Sequence, residues 1–83
     1  MAFTMNEDEI FETVRRNVLK VLPELTPDEV TIDGTLSDLG ANSIDRADVV
    51  TMTMEDLGMV IPVAEFQDVS DIRSLVDLLK KHS

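Results

Sequence analysis

The sequence predicts an all-α fold: a small bundle of three main helices plus one short helix, with a long ordered loop between helices one and two. Three segments repeat their apolar residues at helical spacing. Each is bounded by a Pro, a Gly or a basic chain end. No second alternating run is present to pair with the one short extended stretch, so no sheet can form. With 83 residues, of which 43% are hydrophobic, the chain is read as a single domain over residues 1–83 with a small core, since about 60% of the unfolded surface is buried at this size.

Residues 1–5 carry no pattern that would tie them down and are expected to fray. Asn6 followed by Glu9 has the spacing of a capping box, and a helix from about Glu7 to Leu22 follows. Ile10, Phe11, Val14, Val18, Val21 and Leu22 form one stripe along it, with Leu19 off the stripe, and Pro23 stops it. From Pro23 to Asn42 there is no sustained period, but Leu25, Val30, Ile32, Leu36 and Leu39 are spread along the segment and can pack it down. Thr26 and Pro27 suit the cap and first position of a helical turn, while Val30-Thr31-Ile32 suits a short extended piece.

Helix two spans Ser43 to Leu57, capped by Asn42 and ended by Gly58 in the manner of a C′ glycine. It is apolar on more than one face: Ala47, Val50, Met54 and Leu57 make one stripe, and Val49, Val50, Thr53 and Leu57 make another. Periodicity alone leaves both open. Val60-Ile61-Pro62-Val63 reads as an extended linker, because Pro62 disfavours a helical Ile61. A short turn around Ala64 to Asp68 then brings Phe66 inward. Ser70 is the expected cap of the last helix, Asp71 to about Lys81, whose Ile72, Leu75, Val76 and Leu79 repeat at i, i+3, i+4 and i+7.

Seventeen acids against seven bases give a net charge of −10. That balance argues against nucleic-acid binding, which needs a concentrated Lys/Arg face, and favours a basic protein partner. No Cys is present, so there is neither a disulfide staple nor thiolate chemistry. The N-terminus lacks the basic-then-apolar pattern of a leader, and no apolar run approaches the ~20 residues that span a bilayer. A cytoplasmic protein with no membrane partner is the expectation. The carboxylates Asp28, Glu29, Asp33 and Asp38 lack the ligand spacing of a calcium loop, so no specific metal site is expected.

Gly40-Ala41-Asn42-Ser43-Ile44-Asp45-Arg46 is the stretch that carries chemistry. Ser43 falls at the first helical position, where the free N–H groups of the first turn and the positive end of the helix dipole stabilise an anion. A phosphate on Ser43 would be well placed, although a capped helix needs no modification to explain the pattern. As a nucleophile in its own right Ser43 lacks an activating base, since the only histidine is His82 at the chain end. The chain is therefore expected not to be an enzyme.

The whole window, Gly-Ala-Asn-Ser-Ile-Asp at 40–45 with Asp48, Glu55, Asp56 and Ile61-Pro62, resembles the acyl carrier proteins of fatty acid and polyketide synthesis. The resemblance runs almost end to end, without a gap from Leu36 to Leu79. It implies that Ser43 carries 4′-phosphopantetheine, covalently attached from coenzyme A by a phosphopantetheinyl transferase, and that the arm's thiol holds an acyl group. It also implies that helix two buries its second stripe and leaves Ile44, Ala47, Thr51 and Met54 outward beside Asp48 and Glu55. With Asn42, Asp45 and Arg46 these form the implied docking face. Two residues depart from the family's usual Asp-Ser-Leu. Asn42 keeps the capping oxygen but removes a charge, and Ile44 changes the shape of a side chain shown to partners.

Residues 40–46 together with Met52-Thr53-Met54-Glu55 look most like the discrete carriers of bacterial polyketide β-branching cassettes. Those donate acetyl groups to an enzyme similar to 3-hydroxy-3-methylglutaryl (HMG) synthase. The implied partners are that HMG-CoA synthase-like enzyme and an acyltransferase or decarboxylase that loads the arm, with the carrier free-standing and monomeric when free. The alternatives are a non-covalent acidic helical interaction module in which Ser43 is structural, or a carrier of fatty acid or peptide synthesis.

Overall fold

The computed structural model describes residues 6–82, so the expected fraying of residues 1–5 lies outside the described residues. Three α-helices and two short 3-10 segments follow one another: α1 Glu7–Val21, η1 Pro27–Glu29, α2 Ser43–Leu57, η2 Val63–Asp68 and α3 Ile72–Lys81. No strand occurs among the described residues. The expected all-α bundle with its long loop is the observed architecture.

Asn6 starts α1 as expected: its side-chain oxygen accepts from Glu9 N–H at 2.8 Å. The return arm differs from a capping box, because Asn6 Nδ2, not the Asn6 backbone, donates to the Glu9 carboxylate. Ile10, Val14, Val18 and Leu22 are buried on the predicted stripe, with Phe11 and Val21 half-buried at its margins. Two polar residues also lie inside. Thr13 is satisfied by its own helix, donating to Glu9 C=O at 2.9 Å. Asn17 needs another element and finds it in α2. Leu19, off the stripe, is half-buried beside Pro27 on the flank of α1 that faces η1.

The long loop is held at both ends and in the middle. Thr26 N–H and hydroxyl both donate to the Glu29 carboxylate, which closes the turn of η1 with Pro27 at its first position. Val30 is fully buried, and its carbonyl accepts from the Arg15 guanidinium at 3.2 Å. Further on, Gly34 C=O accepts from Ile72 N–H at 2.9 Å, and Asp33 pairs with Arg73 at 2.8 Å, so the loop is clasped to the start of α3. These bonds are how a connection of this length stays ordered in so small a protein.

On α2 the buried residues are Val49 and Thr53, with Val50 and Leu57 half-buried, which selects the second stripe. Met54 departs from the outward position implied for it: it is half-buried and packs against the core, because it sits at the border between the buried face and the acidic one. The last helix also starts differently. Asp71, not Ser70, is its cap, accepting from Ser74 N–H at 2.8 Å while Ser74 Oγ accepts from the N–H groups of Ser70 and Asp71. Both residue types cap well, and Asp71 is the one whose carboxylate lies within reach of Ser74. Ile72, Leu75, Val76 and Leu79 are buried as the spacing predicts.

Helices α2 and α3 both pack on α1, and η2 packs on α3. In the linker Ile61 is buried while its neighbour Val60 is exposed; η2 begins at Val63, one residue before the expected turn, and Phe66 is half-buried against the core.

Candidate functional site

A turn just before α2 sets the site. Gly40 adopts φ +96°, and the pair of bonds Ala41 N–H to Leu36 C=O and Gly40 N–H to Ser37 C=O, both 3.0 Å, close a Schellman-type turn around it. A side chain other than glycine's would be strained there. The turn buries Ala41 and leaves Asn42 in extended conformation, aimed along the axis of the helix it caps. Asn42 Oδ1 accepts from Asp45 N–H at 2.8 Å, and the Asp45 carboxylate accepts from Asn42 N–H at 3.2 Å. Ser43 is thereby held at the first position of α2 with its side chain in solvent.

Arg46, one turn later, reaches back over the helix end. Its guanidinium donates to Ser43 Oγ at 3.2 Å and to Ser37 Oγ at 3.5 Å. Sequence reading placed Arg46 on the docking face and missed both contacts. The spacing of three residues to Ser43 was the available signal; Ser37 lies nine positions away across the turn and offered none.

Ser43 and Arg46 stand at the rim of a cleft of about 340 Å³ between α2, η2 and α3. Its apolar walls come from Ala47, Val50 and Met54 of α2 and from Val63, Phe66, Ile72 and Leu75 of η2 and α3, with Leu36 of the loop also in the lining. It exists because α2 and α3 both lean on α1 rather than chiefly on each other. Among the described residues, Arg46 is the one cation in its lining and Asp71 the one acid. The Asp71 carboxyl is held below its usual range by the N–H of Ser74 and then by the Ser74 hydroxyl, so it is an anion at neutral pH.

Of the other residues expected on the docking face, Ile44, Ala47, Asp48, Thr51 and Glu55 are exposed. Ile44 presents 72% of its surface to solvent. Asp45 is committed to the cap, and Met54 and Thr51 belong to the wall of the cleft as well. Val60 and Val63, two further exposed apolar residues, carry only a linker signal in the sequence.

Ser43 has no histidine beside it: His82 Nε2 lies 3.0 Å from Glu65 Oε1, at the far end of α3. Among the described residues no group of three or more His, Cys, Asp or Glu is arranged to hold a metal ion, and no helix is long and apolar enough to cross a membrane.

Residues 12–79 match the family model described as the phosphopantetheine attachment site. The chain is 40% identical over 75 residues to the polyketide biosynthesis acyl-carrier-protein AcpK of Bacillus subtilis, covering 90% of this chain and 92% of that protein. It is 36% identical over 73 residues to an acyl carrier protein of Campylobacter hominis, covering 87% and 91%. Among solved structures it superposes with TM-score 0.85 and 28% identity on a chain from the curacin biosynthetic pathway HMG synthase in complex with its acetyl donor acyl carrier protein, covering 93% of this chain and 99% of that one. The chain belongs to the acyl carrier protein family, whose shared feature is the covalent attachment of phosphopantetheine.

Proposed function

We propose that Ser43 is the attachment residue for 4′-phosphopantetheine and that the loaded protein donates acetyl groups for β-branching in polyketide biosynthesis. The observation that carries the reading is the position of Ser43: exposed at the first turn of α2, 3.2 Å from a guanidinium, on the rim of an apolar cleft. The residues fit the group. A phosphodiester on Ser43 Oγ would sit at a helix N-terminus beside one cation, and the arm, whose thiol supplies thioester chemistry, would start where protein and solvent meet.

The protein's own part is presentation. α2 gives the arm a fixed origin and shows partners the exposed Ile44 with the carboxylates Asp48 and Glu55 nearby. The acids steer a basic partner and speed encounter more than they tighten the complex, which suits a carrier that must exchange partners. The proposed partners are a phosphopantetheinyl transferase, an acyltransferase or decarboxylase that loads the arm, and an HMG-CoA synthase-like enzyme that accepts acetyl. Support for the last comes from the superposed chain, which belongs to a complex of an HMG synthase with its acetyl donor carrier, and from the 40% identity to a polyketide carrier. A single monomeric domain working in the cytoplasm belongs to the same proposal.

The test is mass and transfer. Incubation with coenzyme A and a phosphopantetheinyl transferase should add one phosphopantetheine to the wild type and none to Ser43→Ala, which keeps its helix content. The acetyl-loaded protein should then outperform a general fatty-acid carrier with an HMG-synthase-type acceptor. Equal donation by the general carrier would remove the β-branching assignment, and loading of Ser43→Ala would remove Ser43. A protein that accepts no phosphopantetheine at all would be an interaction module.

A further inference from the structure

α2 has four carboxylates, Asp45, Asp48, Glu55 and Asp56, and a single cation, Arg46. None of these carboxylates stands three or four residues from Arg46, the spacing at which side chains meet on a helix, whereas Ser43 stands three before it. Asp45 is taken by the cap. Arg46 instead points toward the N-terminus, to the hydroxyls of Ser43 and Ser37 at 3.2 and 3.5 Å. Neutral hydroxyls are weak partners for a planar, permanently charged donor, and an oxyanion at the same place is a far better one. A phosphodiester on Ser43 would put its oxygens around the atom that Arg46 already touches. It would also take the chain's net charge from −10 to −11 at an acidic helix, with Arg46 the one cation among the described residues that line the neighbouring cleft.

We propose that Arg46 is a positioning residue for the phosphopantetheine arm. Once Ser43 is esterified, the guanidinium pairs with the phosphodiester, and Ser37 Oγ remains as its second hold. Because Arg46 lines the rim of the cleft, the pairing biases the first segment of the arm toward that rim instead of outward into solvent. A partner that draws the arm into its own active site must break this contact, so arm release is favoured by salt or by a competing basic residue on the partner. The neutral Asn42 supports the arrangement, since an acid there would compete for the same guanidinium. This inference rests on Ser43 being the attachment residue.

The experiment loads wild type, Arg46→Lys, Arg46→Gln and Ser37→Ala with 15N-labelled phosphopantetheine. Arm order is read from relaxation of the two arm amides, and the phosphate from its 31P resonance. For an exposed ion pair the held population should exceed the free one by about two- to five-fold over Arg46→Gln. Arg46→Lys should fall between, keeping charge but losing the fork, and Ser37→Ala should show a smaller loss. Salt at about 1 M, where the screening length is about 3 Å, should erase the difference between wild type and Arg46→Gln. Identical arm relaxation and 31P shift in wild type and Arg46→Gln would overturn the proposal. So would equal destabilisation of the unmodified and loaded forms by Arg46→Gln with the arm unmoved, because that would make Arg46 a support of the helix end only. The mass of the loaded wild type separates the two readings. No gain overturns the Ser43 assignment and the clamp together, whereas a gain with an unmoved arm overturns the clamp alone.

Discussion

Replacing Asn17 by leucine should cost stability that a second replacement, Thr53→Val, restores. Asn17 is fully buried in the α1–α2 interface, where its Nδ2 donates to Thr53 Oγ1 at 3.0 Å and to Asp56 Oδ2 at 3.1 Å while its Oδ1 has no partner among the described residues. Asn17→Leu removes that orphan acceptor but leaves the fully buried Thr53 hydroxyl without its donor, and an unmet buried polar group costs about 1–3 kcal/mol. Relief of the orphan offsets part of this, so the single mutant should lose about 1–2 kcal/mol. Thr53→Val alone strands an amide hydrogen beside the existing orphan and should lose as much or more. The double mutant leaves no unpaired buried group at this point, so it should lie within about 1 kcal/mol of wild type, with a coupling energy of at least about 1 kcal/mol. Urea unfolding of all four proteins measures this, on a chain whose total stability is about 4–12 kcal/mol for its 83 residues. Losses that add to within about 0.5 kcal/mol would refute the reasoning and show that the two side chains do not share one interaction.

Acid should weaken the fold through two carboxyls. Asp56 is held below its usual 3.8 by the Asn17 amide and then by Arg16, and Asp71 by the Ser74 N–H and then the Ser74 hydroxyl. Their folded values are depressed, so their contribution is complete above the unfolded carboxylate value and is lost as pH falls below about 4 through the folded values. Urea midpoints between pH 6 and 2 should fall in that window, and less steeply in Asp71→Asn, which keeps a capping oxygen. Gly58 sits at φ +66° with open space around its Cα, so Gly58→Ala should lose about 1–2 kcal/mol by backbone strain alone and Gly58→Asn less, read as thermal midpoints. Asp48→Lys with Glu55→Lys should leave the fold intact while slowing association with an acetyl-accepting synthase at low salt, measured by stopped flow, with the difference shrinking at 0.1 M salt as the screening length falls to about 10 Å.

The parts of this protein that the sequence determined by itself are those decided within four residues. Asn6 and Asn42 cap helices because a side-chain oxygen is in reach of an amide three positions on, Pro23 and Gly58 end them, and Ser43 follows as the first helical residue. Even this local rule gives two answers where two capping residues adjoin. Ser70 and Asp71 both qualify, and the structure selects Asp71 by its bond to Ser74. Tertiary packing decided the rest. Periodicity left both stripes of α2 open; packing on α1 buries Val49 and Thr53, and Asn17 of α1, 36 positions before Thr53, donates to the Thr53 hydroxyl. Met54 lies at the edge of that face and is half-covered as a result. The contact from Arg46 to Ser37 depends on a loop folding back through the turn at Gly40, and the cleft depends on α2 and α3 each choosing α1 as a support. Periodicity gives the angle at which a side chain leaves its helix; what meets it there is set by elements far along the chain, and only their packing decides it.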